Sequence, residues 1–294
     1  MRSFDRLNPI TLTVYFLSVA GISAFCVHPV ILALSFFGAI SSCVICAKRT
    51  KPGLHITFLI VFLVSALINP IVSHRGATVL FFVNDTPITL ESAVYGITAA
   101  TSVVSLLYWF FTYNSFMSSD KMLYLFSKLS AKLSLVLSMS MRYVSLLSEQ
   151  AKKIRFAQKA TGLYGDGNIV DRARGEMRVF STLVGWAIEN GIISAESMTA
   201  RGYGSGQRRL MKKYGFCKDD ILILALTLSL IAIFICCIIL GAILNEISFF
   251  PTLSFRTQGA ISIAAYFTYG ALVLLPTVVE IKERIKWKYL RSKI

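Results

Sequence analysis

What most constrains this chain is an apolar run of about twenty residues, long enough to cross a bilayer as a helix, that recurs six times. The runs are Ile10–Val27, Pro29–Ala47, Leu54–Val72, Ser92–Thr112, Ile221–Leu244 and Ile261–Val279, and none contains Asp, Glu, Lys or Arg. With 55% hydrophobic and only 15% charged residues, the chain is too apolar for an ordinary soluble domain. The expected fold class is an all-α polytopic membrane protein with about six transmembrane helices.

The net charge of +15 is distributed like that of a membrane protein. If both termini are cytoplasmic, all basic residues except Arg75 and Arg256 fall on inside segments. That asymmetry sets the orientation by the positive-inside rule. A nucleic-acid surface would not explain why the charges stop at every apolar block, so no nucleic-acid partner is expected. Three regions follow: 1–113 with spans one to four and an external segment at 73–89, a basic cytoplasmic region at 114–218, and 219–294 with spans five and six and a basic tail. Five of the six cysteines lie in or at the end of apolar runs and read as buried apolar side chains. No cleavable signal is expected, because Ile10–Val27 lacks a small-x-small site before His28.

Local signals place the helix ends. Asn8-Pro9 reads as an N-cap followed by proline at the first helical position. Thr89 with Glu91 opens span four, and Asp219-Asp220 opens span five. Val79–Val83 is β-rich before the turn signal Asn84-Asp85, which predicts a short hairpin or re-entrant piece. No Gly or Pro occurs from Ile97 to Thr161, so long helices are expected, with a polar break at 114–120. Ser127, Ser130, Ser134, Ser138, Ser145 and Ser148 share one helical face. Small polar residues at that spacing permit close helix approach, so Ser134 and Ser138 are expected to face a partner helix. Glu149 and Lys153 are spaced for an i,i+4 pair.

This first basic helix is expected to end at Ala160-Thr161-Gly162. A second begins near Asp171 as N-cap, weakens at Gly175, Gly185 and Gly191, and ends at Ala200-Arg201-Gly202. Gly202 and Gly204 suit a helix C-terminus that needs positive φ. The tail from Lys282 alternates basic residues with Ile285, Trp287 and Tyr289 and reads as an anchor on anionic lipid.

Catalytic chemistry is sparse. No GxxxxGK[ST] occurs. Gly202–Gly206 follows a helix instead of opening one, so it is no phosphate cradle. His28, His55 and His74 show no ligand spacing. The spans carry no ionisable relay of the kind an ion-coupled carrier needs, so a transport role would draw its energy from a partner.

The residues resemble the transmembrane T component of energy-coupling factor transporters, prokaryotic importers of vitamins and metal ions. Leu7-Asn8-Pro9-Ile10 stands where the family has Leu-Asp-Pro-Arg. Arg142, Glu149 and Ala157-Gln158-Lys159-Ala160-Thr161-Gly162 match a long helix with an Arg, a Glu and Ala-Gln-x-Ala-Arg-Gly. Ala200-Arg201-Gly202 matches a second Ala-Arg-Gly. The resemblance implies two long cytoplasmic coupling helices between spans four and five, in a multi-pass protein of the prokaryotic plasma membrane. It implies a non-catalytic scaffold that binds no cofactor itself. Two ABC ATPases would bind the ATP, and a separate substrate-binding membrane subunit would carry the substrate. The ATPase-docking residues it implies are Ala200, Arg201, Gly202, Ala160, Thr161 and Gly162. Thr161 replaces the family's first motif arginine and cannot form a charge-assisted fork, so Lys159 or Arg155 would substitute and Arg201 would dominate. The residues alone also admit a polytopic enzyme acting on lipid phosphates, or an autonomous carrier.

Overall fold

The computed structural model describes residues 7–46, 52–73, 76–83, 86–162, 169–205, 214–241, 247–248, 254–255 and 259–291. In chain order the elements are α1 (Pro9–Phe25), α2 (Pro29–Cys46), α3 (Pro52–Val72), β1 (Val79–Val83), β2 (Thr86–Thr89), α4 (Leu90–Phe116), α5 (Ser119–Leu129), α6 (Ala131–Ala160), α7 (Ile169–Ala200), α8 (Lys218–Ile239), β3 (Ile247–Ser248), β4 (Ser254–Phe255) and α9 (Ala260–Arg291). They fall into two compact units, one from Met1–Lys121 with Tyr214–Ile294 and one from Met122–Lys213.

In the first unit, four helices are long and apolar enough to cross a membrane: α3, α4, α8 and α9. Helices α1 and α2 are apolar but shorter. The 17 residues of α1 rise only about 26 Å at about 1.5 Å per residue, short of the ~30 Å hydrocarbon core. The sequence reading expects six spans; four reach full spanning length among the described residues. Antiparallel β1–β2 forms the hairpin expected there, and its Asn84-Asp85 turn lies outside the described residues. The pair β3–β4 carries no comparable signal, so the helical fold includes two small hairpins.

The unit is built around α4, which packs on α1, α2 and α3, and around α9, which packs on α2 and α8. Glycine lets the backbones close. A Cβ on Gly96 would stand 2.8 Å from the Ala66 carbonyl oxygen on α3, and one on Gly38 would meet Val273 on α9. The largest enclosed side chains include Trp109, Tyr15, Tyr269 and Phe116. Their polar atoms are hydrogen-bonded. Trp109 Nε1 donates to Ser35 Oγ at 3.0 Å, Ser35 and Ser23 hydroxyls lie 2.7 Å apart, and Ser23 Oγ meets Tyr269 OH at 3.0 Å. Tyr15 OH donates to the Leu272 carbonyl at 3.0 Å. Polar groups left unpaired in such a setting cost several kcal/mol, so this network favours one alignment of α1, α2, α4 and α9.

Helix starts follow the capping chemistry. Asn8 Oδ1 accepts from Ile10 N–H at 3.1 Å and Thr89 Oγ1 from Ser92 N–H at 3.4 Å. Asp220 does more than open α8. One carboxylate oxygen accepts from Cys217 N–H at 2.9 Å, and the other from Asn8 N–H at 2.8 Å, joining the starts of α8 and α1. Glu91, also enclosed, accepts from Thr78 N–H at 3.2 Å. Glu280, one residue beyond the apolar run Ile261–Val279, lies buried inside a continuous α9 that carries the basic tail as helix to Arg291. Arg284 stands 3.6 Å from Glu280 and also donates to the Ile45 carbonyl in the last turn of α2.

Candidate functional site

The second unit holds every residue singled out for docking or coupling, and its centre is the pair α6–α7. The two helices run antiparallel. Tyr143 OH donates to the Asn190 carbonyl at 3.3 Å and shares a 2.7 Å hydrogen bond with Ser194 Oγ. Further along, Arg155 pairs with Glu176 at 2.8 Å. Rising numbers on α6 thus meet falling numbers on α7. The shared seam repeats at helical spacing: Tyr143, Leu147 and Ile154 on α6 are half-buried, and Gly175 and Val179 on α7 are buried.

Several local expectations change here. The serine-bearing segment is broken at Ser130, whose extended backbone (φ −156°, ψ 129°) starts α6 without a side-chain cap. Ser134, Ser138 and Ser145 lie on the side of α6 roughly opposite Tyr143 and Ile154, at about 100° per residue. They therefore take no part in the α6–α7 seam; Ser138 is exposed and Ser134 half-buried. Glu149 and Lys153 are exposed, and no ion pair joins them among the described residues. Asp171 is not the N-cap of the second helix. Helix α7 starts at Ile169, placing Asp171 in the first turn, 3.6 Å from Arg174. The expected weakening at Gly175, Gly185 and Gly191 is absent, since α7 is continuous to Ala200. Gly175 is instead buried within α7.

The two glycine motifs end their helices as their chemistry requires. Gly162 (φ 71°), Gly202 (φ 80°) and Gly204 (φ 97°) adopt the left-handed backbone that non-glycine residues disfavour. At α7, Tyr203 N–H bonds back to the Met198 carbonyl at 3.0 Å and Gly202 N–H to the Thr199 carbonyl at 2.9 Å, a Schellman closure. At α6, the Thr161 hydroxyl donates to the Ala157 and Gln158 carbonyls at 3.1 and 3.2 Å, which folds it onto its own helix. Ala160 and Lys159 are exposed in the last turn of α6.

Because the helices are antiparallel, the motifs lie far apart. Ala160-Thr161-Gly162 sits at the closed end of the hairpin. Arg201 lies level with Met139 and Arg142, with which it lines one cleft of about 410 Å³. That offset corresponds to roughly 30 Å along α6 at about 1.5 Å per residue. Arg142 and Arg201, far apart in the chain, are thus brought together, whereas Arg155 is held by Glu176. Sequence reasoning missed Tyr143, Asn190, Ser194 and Glu176. The available signal was four-residue spacing of the polar side chains Asn190 and Ser194 on α7, with a lone tyrosine on α6 to meet them.

The model of the CbiQ family, described as cobalt transport protein, matches residues 5–213. The energy-coupling factor transporter transmembrane protein EcfT of Streptococcus thermophilus is 30% identical over 119 residues, which is 39% of this chain and 45% of that protein. Its counterpart in Streptococcus equi subsp. equi is 32% identical over 79 residues, 26% of this chain and 29% of the relative. That of Lactobacillus helveticus is 29% identical over 104 residues, 35% and 38% respectively. The chain thus spans less than half the length of each curated relative it matches. With the family match covering most of the chain and both basic helices, the chain belongs to the CbiQ family and is an EcfT/CbiQ-like transmembrane T component.

Proposed function

We propose that this chain is the scaffold and coupling subunit of an energy-coupling factor importer. It crosses the prokaryotic cell membrane six times with both termini cytoplasmic. Helices α6 and α7 are its coupling helices, and their motif-bearing ends seat on two partner ABC ATPases. Those ATPases bind the ATP; this chain is not an enzyme and holds no cofactor of its own. Movement of the ATPases passes through the hairpin to a separate membrane subunit that binds a vitamin or metal ion. The serine face of α6 turned away from α7, with Ser134 and Ser138, receives a helix of that subunit. The basic end of α9 rests on anionic lipid.

The observation that carries this reading is the antiparallel hairpin, which puts the two glycine-terminated motifs at opposite levels, so that each can engage a different ATPase. Docking is asymmetric. Thr161 satisfies its hydroxyl on its own helix and Arg155 is paired with Glu176, which leaves Arg201 as the stronger contact. Removing one partner of a buried charged contact costs about 2–5 kcal/mol at an interface. If Arg201 merely complemented the α7 dipole, its loss would cost about 0.3–1 kcal/mol.

The test is a pull-down of the detergent-solubilised chain from its native membrane, wild type against Arg201→Glu. The proposal expects two Walker-motif ATPases and a small hydrophobic subunit with wild type, and loss of the ATPases with the variant. Recovery of the chain alone in both cases would reject it, and equal ATPase recovery in both would reject the role of Arg201.

A further inference from the structure

We propose that the cleft between α6 and the C-terminal end of α7 is a binding site for a phosphate group, supplied by an anionic phospholipid headgroup or by free phosphate. The inference goes beyond the coupling role and does not depend on it.

The cleft is lined by two exposed arginines from different segments, Arg142 on α6 and Arg201 just beyond the end of α7. Neither makes an ion pair among the described residues, and none of the cleft's lining side chains is acidic. Two like charges held together with no counter-charge create a local demand for an anion. Ser197 also lines the cleft, while the Tyr143 and Ser194 hydroxyls are bonded to each other in the adjoining seam. The chemistry selects among anions. A carboxylate presents two coplanar oxygens and is satisfied by one arginine fork. Forks approaching from two different segments are matched better by tetrahedral phosphate, whose oxygens point in several directions.

Volume and lining agree with this choice. A cavity of about 410 Å³ lies within the usual range for small-ligand sites, about 300–1,000 Å³. One part of its wall is apolar, formed by Met139, Leu146 and Met198, which suits the glycerol and first methylenes of a lipid. In the sequence, Arg208, Arg209, Lys212 and Lys213 follow shortly after Arg201, and α8, a helix apolar enough to span a membrane, opens at Lys218. Basic side chains at that point of a chain favour anionic headgroups.

The experiment is site-resolved arginine labelling. The full chain is treated with phenylglyoxal, and modification is read by peptide mass spectrometry at Arg142 and Arg201, with exposed Arg172 as internal reference. Three conditions are compared: phosphatidylglycerol vesicles, phosphatidylcholine vesicles, and detergent with inorganic phosphate. The proposal expects phosphatidylglycerol to slow labelling of Arg142 and Arg201 about tenfold relative to phosphatidylcholine, with Arg172 little changed. Protection by inorganic phosphate as well identifies a free-anion site; protection by phosphatidylglycerol alone identifies the lipid. Arg142→Gln is the informative charge variant, because Arg201 also ends the proposed docking motif. It should remove the protection of Arg201. Ser197→Leu, which fills the cleft and keeps both arginines, should do the same. Equal labelling in all three conditions overturns the proposal. So does protection that survives Ser197→Leu, which would mean general surface charge. So does protection that needs an added ATPase, which would assign the cleft to an acidic side chain of that partner.

Discussion

Asp220→Ala should destabilise the first unit more than any other single carboxylate change. Asp220 is 2% exposed, and its carboxylate accepts two backbone N–H groups, from Asn8 at 2.8 Å and Cys217 at 2.9 Å. A hydrogen bond to a charged group contributes about 1.5–3 kcal/mol, so the two give about 3–6 kcal/mol before offsets. The carboxylate also complements the N-terminal dipole of α8, by about 0.3–1 kcal/mol. Against this stands the desolvation of a buried charge, which alanine relieves. A net loss of about 3 kcal/mol follows, because Asn8 N–H is left enclosed with no acceptor. At roughly 2–4 °C per kcal/mol for a chain of this size, the melting temperature should fall by about 6–12 °C. Asp220→Asn keeps one acceptor oxygen and should lose about half as much. The assay is thermal unfolding of the detergent-solubilised protein, followed by intrinsic tryptophan fluorescence. A melting temperature for Asp220→Ala within about 2 °C of wild type would refute the reasoning, since α1 and α8 would then not be held together through this carboxylate.

Further outcomes follow from the same structure. Gly96→Val should cost about 1–3 kcal/mol, because even a Cβ at that position stands 2.8 Å from a backbone oxygen of α3; the same melting assay reads it. Trp109→Phe and Ser35→Ala should each cost about 1 kcal/mol, and the double variant should cost clearly less than their sum, since one 3.0 Å bond joins them. Arg155→Ala should change stability by less than about 1 kcal/mol, because its pair with Glu176 leaves the two side chains 41% and 44% exposed. Gly202→Ala should cost about 1–2 kcal/mol at a φ of 80°; protease sensitivity of the region following Ala200 should rise with it.

Much of the secondary structure was legible because its causes are local. Asn8, Thr89 and Gly202 mark helix ends through bonds made within a few residues, and the structure shows those bonds. Other features had no local sign. Ser130 breaks a segment that contains neither Gly nor Pro, and a continuous serine stripe could not reveal it. Gly175, Gly185 and Gly191 look like weak points to a propensity argument, yet α7 passes through all three because packing against α6 outweighs a cost of about 1 kcal/mol per glycine. The site was half legible: both motif ends were located, whereas the α6–α7 seam through Tyr143 and Ser194, on the opposite side of α6 from the serine face, was not.

The sequence by itself determined that the chain is rich in apolar helices, which segments carry positive charge and where most helices end. All of these depend on composition, period or short-range bonding. Only the tertiary structure decided that Asp220 receives the N–H of Asn8, 212 residues away, that Tyr143 meets Ser194, and that Arg142 and Arg201 share one cleft. Those pairings depend on which helix faces meet, and that is set by the packing of distant segments.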